Sequence, residues 1–103
     1  MGWASRAIQT LAEGHNAIIK PHGHSMRPKV MSGATVELEP VKLDALAVGD
    51  VVLCRVSGNV YLHLVKALRG DADNRQAQIG NNRGGVNGWT RAVYGRAVRI
   101  DNP

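Results

Sequence analysis

The 103 residues leave room for one hydrophobic core and not two, and with 44% hydrophobic residues but only two Trp, two Tyr and no Phe, that core falls to Val, Ile, Leu and Ala. Such a palette suits strands, and the 12 glycines suit frequent turns. The net charge of +5 comes from Lys and Arg scattered singly, without a recognition-helix pattern or a basic stretch interleaved with aromatics, which argues against a dedicated nucleic-acid site.

In chain order, Ala4, Ala7, Ile8 and Leu11 follow the i, i+3, i+4, i+7 spacing and Gly14 supplies a stop, so residues 3–13 are expected to form a short amphipathic helix. We take residues 1–14 as this N-terminal helix and residues 15–103 as one β-rich domain, with no room for an N-terminal DNA-binding domain. Residues 17–20 are the first candidate strand. Thr35-Val36-Glu37-Leu38-Glu39 alternates strictly, placing Val36 and Leu38 inward and the glutamates outward, until Pro40 closes it. Residues 51–56 and 60–65 flank Ser57-Gly58-Asn59, the clearest hairpin signal in the chain. Cys54 stands alone, which excludes an internal disulfide, and its place in the run Val51-Val52-Leu53-Cys54 predicts a buried thiol. Residues 69–76 are polar, residues 80–85 turn-rich and Asn87-Gly88 a further turn signal, before a closing strand over 91–100 interrupted at Gly95. No stretch approaches the roughly 18 apolar residues of a membrane span, and no secretory signal opens the chain, so a soluble cytoplasmic protein is expected.

The chemistry-bearing segment is Gly23-His24-Ser25-Met26-Arg27-Pro28. A serine hydroxyl needs a nearby base and backbone donors for the developing oxyanion. Gly23 permits an unusual turn and Pro28 turns Arg27 away from helical angles, predicting an exposed, extended turn with free amides near Ser25. Over residues 60–65, alternation puts Val60, Leu62 and Leu64 on a core face and Tyr61, His63 and Val65 on the other. Lys66 has the parity of the aliphatic face, so His63 and Lys66 do not both reach Ser25 from a regular strand. His63 also needs less perturbation to act as a base at neutral pH than a lysine does.

These residues resemble the superfamily of LexA-like peptidases and type I signal peptidases. The resemblance rests on four motifs in order between residues 17 and 100: Gly23-His24-Ser25-Met26-Arg27-Pro28, Gly49-Asp50-Val51-Val52-Leu53, Tyr61-Leu62-His63-Leu64-Val65 and Tyr94-Gly95-Arg96-Ala97-Val98. It implies a mainly β, small barrel-like fold and a soluble serine endopeptidase cleaving a protein or peptide after small residues. It implies Ser25 as nucleophile and His63 as base, the base being Lys in most bacterial members and His in the endoplasmic-reticulum type of signal peptidase. Gly23, His24, Met26 and Pro28 then stand at oxyanion and substrate-binding positions, and neither cofactor nor metal is called for. Three positions depart from the pattern: Gly33-Ala34 replaces Gly-Asp, Leu64 replaces Arg, and Gly80-Asn81-Asn82 lacks the Asp of the His-type enzymes, leaving His63 without its obvious carboxylate.

Other readings compete. A decayed site on the same fold, in a phage-associated setting, would serve as a protein-binding module. His22 and His24 share a strand face by i, i+2 spacing and with His63 or His15 would make a metal site such as zinc. Arg69-Gly70-Asp71 is read as a turn, and Trp3 and Trp89 as core or end-cover residues, with Trp89 alternatively bordering a substrate groove.

Overall fold

A computed structural model describes residues 2–103, the side chain of Asp73 excepted. The chain is mainly β: helix α1 (Ser5–Ala12) precedes β1 (Ala17–Ile19), β2 (Thr35–Pro40), β3 (Val51–Val56), β4 (Asn59–Arg69), β5 (Gln76–Gly80), β6 (Val86–Thr90) and β7 (Val93–Asp101). All pairings are antiparallel, in the order β1-β2-β7-β3-β4-β5-β6. The sheet does not close into the expected barrel: β1 and β6 are its two edges. It coils enough that Thr90 Oγ1 on β6 donates to the Arg55 carbonyl on β3 at 2.6 Å.

Alternation along the strands builds a core on each face of the sheet. Val51 and Leu53 of β3 and Leu62 and Leu64 of β4 join Val36, Leu38 and the helix residues Ala4, Ala7 and Leu11 in one cluster. Val52, Cys54 and Val56 of β3 pack with Val65, Ala77 and Ile79 in the other. The continuous apolar run of β3 therefore reflects a strand covered on both faces, and the Cys54 thiol is fully buried, as its setting predicted. Burial pushes that thiol up to about 12. Val36 and Leu38 are likewise fully buried, while the turn Ser57-Gly58 has both residues left-handed, at φ 50° and 85°, the conformation a two-residue hairpin favours.

One strand carries no expectation in the sequence pattern, and two further expectations fail for physical reasons. Residues 76–80 form β5, because Ala77 and Ile79 point inward between outward glutamines, a short alternation that the polar flanks obscure. Asn87-Gly88 lies inside β6 instead of at a turn; a register irregularity beside Gly80 and a left-handed Gly88 at φ 135° absorb the glycine within the strand. Gly95 does not interrupt β7: a Cβ there would stand 2.8 Å from both the Glu39 carbonyl and Leu11 Cδ1, so the glycine lets β2 and α1 approach. No helix among the described residues is long and apolar enough to cross a membrane.

Arg96 joins separate segments beside Gly95. Its guanidinium lies 2.9 Å from Glu39 and 3.5 Å from Asp50, and also donates to the Ala45 carbonyl at 2.9 Å. Asp50 in turn accepts from the Ala47 N–H at 2.8 Å. The Gly49-Asp50 and Gly95-Arg96 pairs thus meet in one polar clasp at the end of β3.

Candidate active site

Ser25 lies in the connection between the edge strand β1 and β2, and this connection is a chain of tight turns, not the extended segment predicted. The Arg27 N–H donates to the His24 carbonyl at 3.2 Å and the Val30 N–H to the Met26 carbonyl at 2.9 Å, winding the loop around the buried Met26 side chain. Gly23 adopts φ 118°, which an L side chain rarely takes, and its N–H donates to Ser32 Oγ at 3.2 Å. The peptide bond between Arg27 and Pro28 is cis. Winding the loop inward at Met26 leaves the Ser25 side chain facing outward.

His63 comes from the middle of β4, opposite Val52 of β3, and is 7% exposed. Its Nε2 lies 3.1 Å from Ser25 Oγ. On the other side of the ring, Nδ1 lies 2.7 Å from Oδ1 of Asn87, which reaches it from β6. An amide oxygen accepts only, so Nδ1 carries the proton and Nε2 presents its lone pair to the serine hydroxyl. Tyr61, two residues earlier on the same face, stacks on the imidazole with ring centroids 4.8 Å apart and planes 23° from parallel. This cover fixes the ring and dries it. Burial accordingly lowers the imidazole below its ordinary value of 6.5, and the Asn87 hydrogen bond opposes that shift more weakly. The ring is neutral at pH 7, the state a general base requires.

The turn between β5 and β6 holds the loop that carries Ser25. Asn81 Oδ1 accepts from the N–H groups of Arg83 and Gly85 at 2.8 and 2.9 Å, which shapes the turn. Asn82 then reaches outward: its N–H donates to the Ser25 carbonyl at 2.9 Å and its Nδ2 to the Arg27 carbonyl at 3.1 Å. With the Ser25 carbonyl held from below, the Ser25 N–H makes no hydrogen bond among the described residues and remains available to an oxyanion. The same turn thus bears on both partners of the pair, since β6, which carries Asn87, follows it directly.

A groove of about 880 Å³ opens in front of the pair. Ser25, Met26 and Gly23 line it beside His63 and Tyr61, whereas His24 and Pro28 are exposed and do not. β1 with the following residues to His22 lines it, as does α1 through Trp3, Arg6 and Thr10. Trp3 is 56% exposed there and so is no core residue. Trp89 lies away from the groove, with the Arg69 guanidinium 4.1 Å from its ring centroid. Lys66 does not line the groove either; its stem packs where a Cβ on Gly80 would fall, at the irregularity between Val65 and Ala67. Among the described residues no three His, Cys, Asp or Glu side chains converge as a metal site would need.

Of the residues that sequence reasoning singled out, Ser25 and His63 meet directly, with Gly23 and Met26 beside them. Asn87 and Asn82 were missed as site residues. The only sequence signal for either was the Gly80-Asn81-Asn82 stretch, which marked the absence of an acid without indicating that an amide five positions further on would take the place beside His63. No protein-family model matches the chain, and no curated protein matches it.

Proposed function

We propose that the chain is a serine endopeptidase of the LexA-like and signal-peptidase-like kind, in which Ser25 is the nucleophile, His63 the general base and Asn87 the residue that orients the base. The observation that carries this reading is the relay from Ser25 Oγ to His63 Nε2, 3.1 Å, and from His63 Nδ1 to Asn87 Oδ1, 2.7 Å, at the floor of an open groove. Structural histidines on strands have no need of an exposed serine at one nitrogen and a tautomer-fixing acceptor at the other. The single buried thiol suits a reducing, cytoplasmic setting.

The substrate is a polypeptide in extended form, which the free edge of β1 suits because that strand has a neighbour on one side only. His63 Nε2 takes the hydroxyl proton as Ser25 Oγ attacks the scissile carbonyl carbon, and the resulting oxyanion accepts from the Ser25 N–H. The imidazolium returns the proton to the leaving amine nitrogen as the C–N bond breaks, leaving an ester on Ser25. Water, deprotonated by the same nitrogen, attacks that ester, and as the bond from Ser25 Oγ to the acyl carbon breaks the imidazolium returns the proton to Oγ, releasing the acid. Throughout, Asn87 Oδ1 holds the Nδ1 proton and keeps the ring in place. Because Asn87 is uncharged, it stabilises the imidazolium less than a carboxylate would.

Treatment with a fluorophosphonate tests the reading. Stoichiometric modification of Ser25 that is lost in both Ser25→Ala and His63→Ala is the expected outcome. An unmodified Ser25 between roughly pH 7 and 9, where the imidazole is neutral, would sink the assignment and leave a peptide-binding module.

A further inference from the structure

The walls of the groove are unevenly charged. Arg6 on α1 and Lys20 just after β1 line it and are exposed, and neither side chain makes an ion pair or hydrogen bond among the described residues. His22 stands beside them, and no Asp or Glu lines the groove. The nearest acid on the adjoining strand, Glu37 of β2, pairs in register with Ile18 and accepts from Asn16 Nδ2 at 3.0 Å. The ion pairs among the described residues, Arg96 with Glu39 and Asp50 and Arg99 with Asp101, all lie elsewhere. Two free cations, one on α1 and one just after β1, therefore line the groove that holds Ser25. In the same groove Trp3 and Ile18, 56% and 66% exposed, offer apolar surface to the same occupant.

We propose that this groove selects acidic polypeptide segments, Arg6 and Lys20 receiving Asp or Glu side chains of an extended substrate beside the bond that Ser25 cleaves. The proposal rests on the endopeptidase reading and adds a substrate class to it. Backbone pairing along β1 is indifferent to sequence, so the charge of Arg6 and Lys20 is what discriminates between extended peptides. Each exposed ion pair is weak, so two together give about a two- to thirtyfold preference, one that salt screens away.

The test uses binding without turnover. Ser25→Ala protein is titrated by fluorescence anisotropy with two fluorescein-labelled Ala/Val decapeptides that differ only in carrying Glu or Gln at the same two positions. At about 50 mM salt the Glu peptide is expected to bind about two- to thirtyfold more tightly, with the ratio falling toward one at about 500 mM. Adding Arg6→Gln and Lys20→Gln should erase the preference. A control pair remote from the groove with the same charge change, Lys42→Gln and Arg99→Gln, should keep it. Equal binding of the two peptides, absence of binding by either, or equal loss of preference in both charge variants overturns the proposal. So does sedimentation with phosphatidylserine vesicles that depends on Arg6 and Lys20 while the peptides remain undiscriminated, since the cations would then serve a lipid surface. Wild-type turnover of the same peptides separates this proposal from its foundation. Preference without cleavage retires the peptidase reading and leaves an acidic-peptide groove, whereas cleavage of both at equal kcat/KM retires the preference and leaves the peptidase.

Discussion

Replacing Asn87 by Asp converts a neutral support of His63 into a charged one, and the geometry fixes the direction of the result. Asn87 Oδ1 is 2.7 Å from His63 Nδ1, so an isosteric carboxylate keeps the hydrogen bond while bringing a negative charge within about 4 Å of the imidazolium centre. At the effective dielectric of a partly buried site, such a pair is worth at most about 4 kcal/mol, and the cost of desolvating the new carboxylate reduces this. The net expectation is a rise of roughly one to two pKa units for His63. In the wild type, burial holds the imidazole below 6.5, so the acid limb of the Ser25 modification rate lies below that value. In Asn87→Asp this limb should move upward by the same one to two units. Above it, a more basic Nε2 and a stabilised imidazolium should speed modification about three- to tenfold, taking half of the pKa gain into the rate. The fluorophosphonate rate against pH and the imidazole resonances of His63 in NMR titration report the two quantities independently. An acid limb that stays in place or moves downward, with the fold intact, would refute the argument that Asn87 acts through the Nδ1 proton.

Three further outcomes follow from contacts around the site. Asn82→Ala removes the side-chain bond to the Arg27 carbonyl and should slow Ser25 modification roughly tenfold while shifting the thermal midpoint little, because the Asn82 N–H still holds the Ser25 carbonyl; an unchanged rate would show that the loop needs no such brace. Gly95→Ala drives a methyl to 2.8 Å from the Glu39 carbonyl and from Leu11 Cδ1, and should cost about 1–3 kcal/mol in denaturant unfolding, whereas a loss under about 0.5 kcal/mol would contradict the close approach. The Cys54 thiol, raised to about 12 by burial, should resist Ellman's reagent at roughly pH 8 in the native protein and react at once in denaturant; fast native reaction would mean that the second core cluster opens readily.

How far the site is legible in the sequence depends on whether a feature is local. Strand parity over residues 60–65 separates His63 from the aliphatic face because alternation is a property of adjacent residues, and the structure keeps Leu62 and Leu64 in one cluster and Val65 in the other. The hairpin at Ser57-Gly58 is equally local. Asn87 was not legible, because its neighbourhood carries a strong turn signal and its partner lies 24 residues away. What brings them together is the coiling of the sheet, which carries β6 around β5 until Thr90 reaches the Arg55 carbonyl, and no local pattern encodes that curvature. The same curvature explains why the missing carboxylate does not leave the histidine unsupported. The Asn81 side chain shapes the β5–β6 turn, Asn82 leaves that turn to hold the Ser25 loop, and the strand that follows presents Asn87 to His63. One connection thereby sets the positions of both side chains, so a change that unwinds this turn should separate Ser25 from His63 even though neither residue belongs to it.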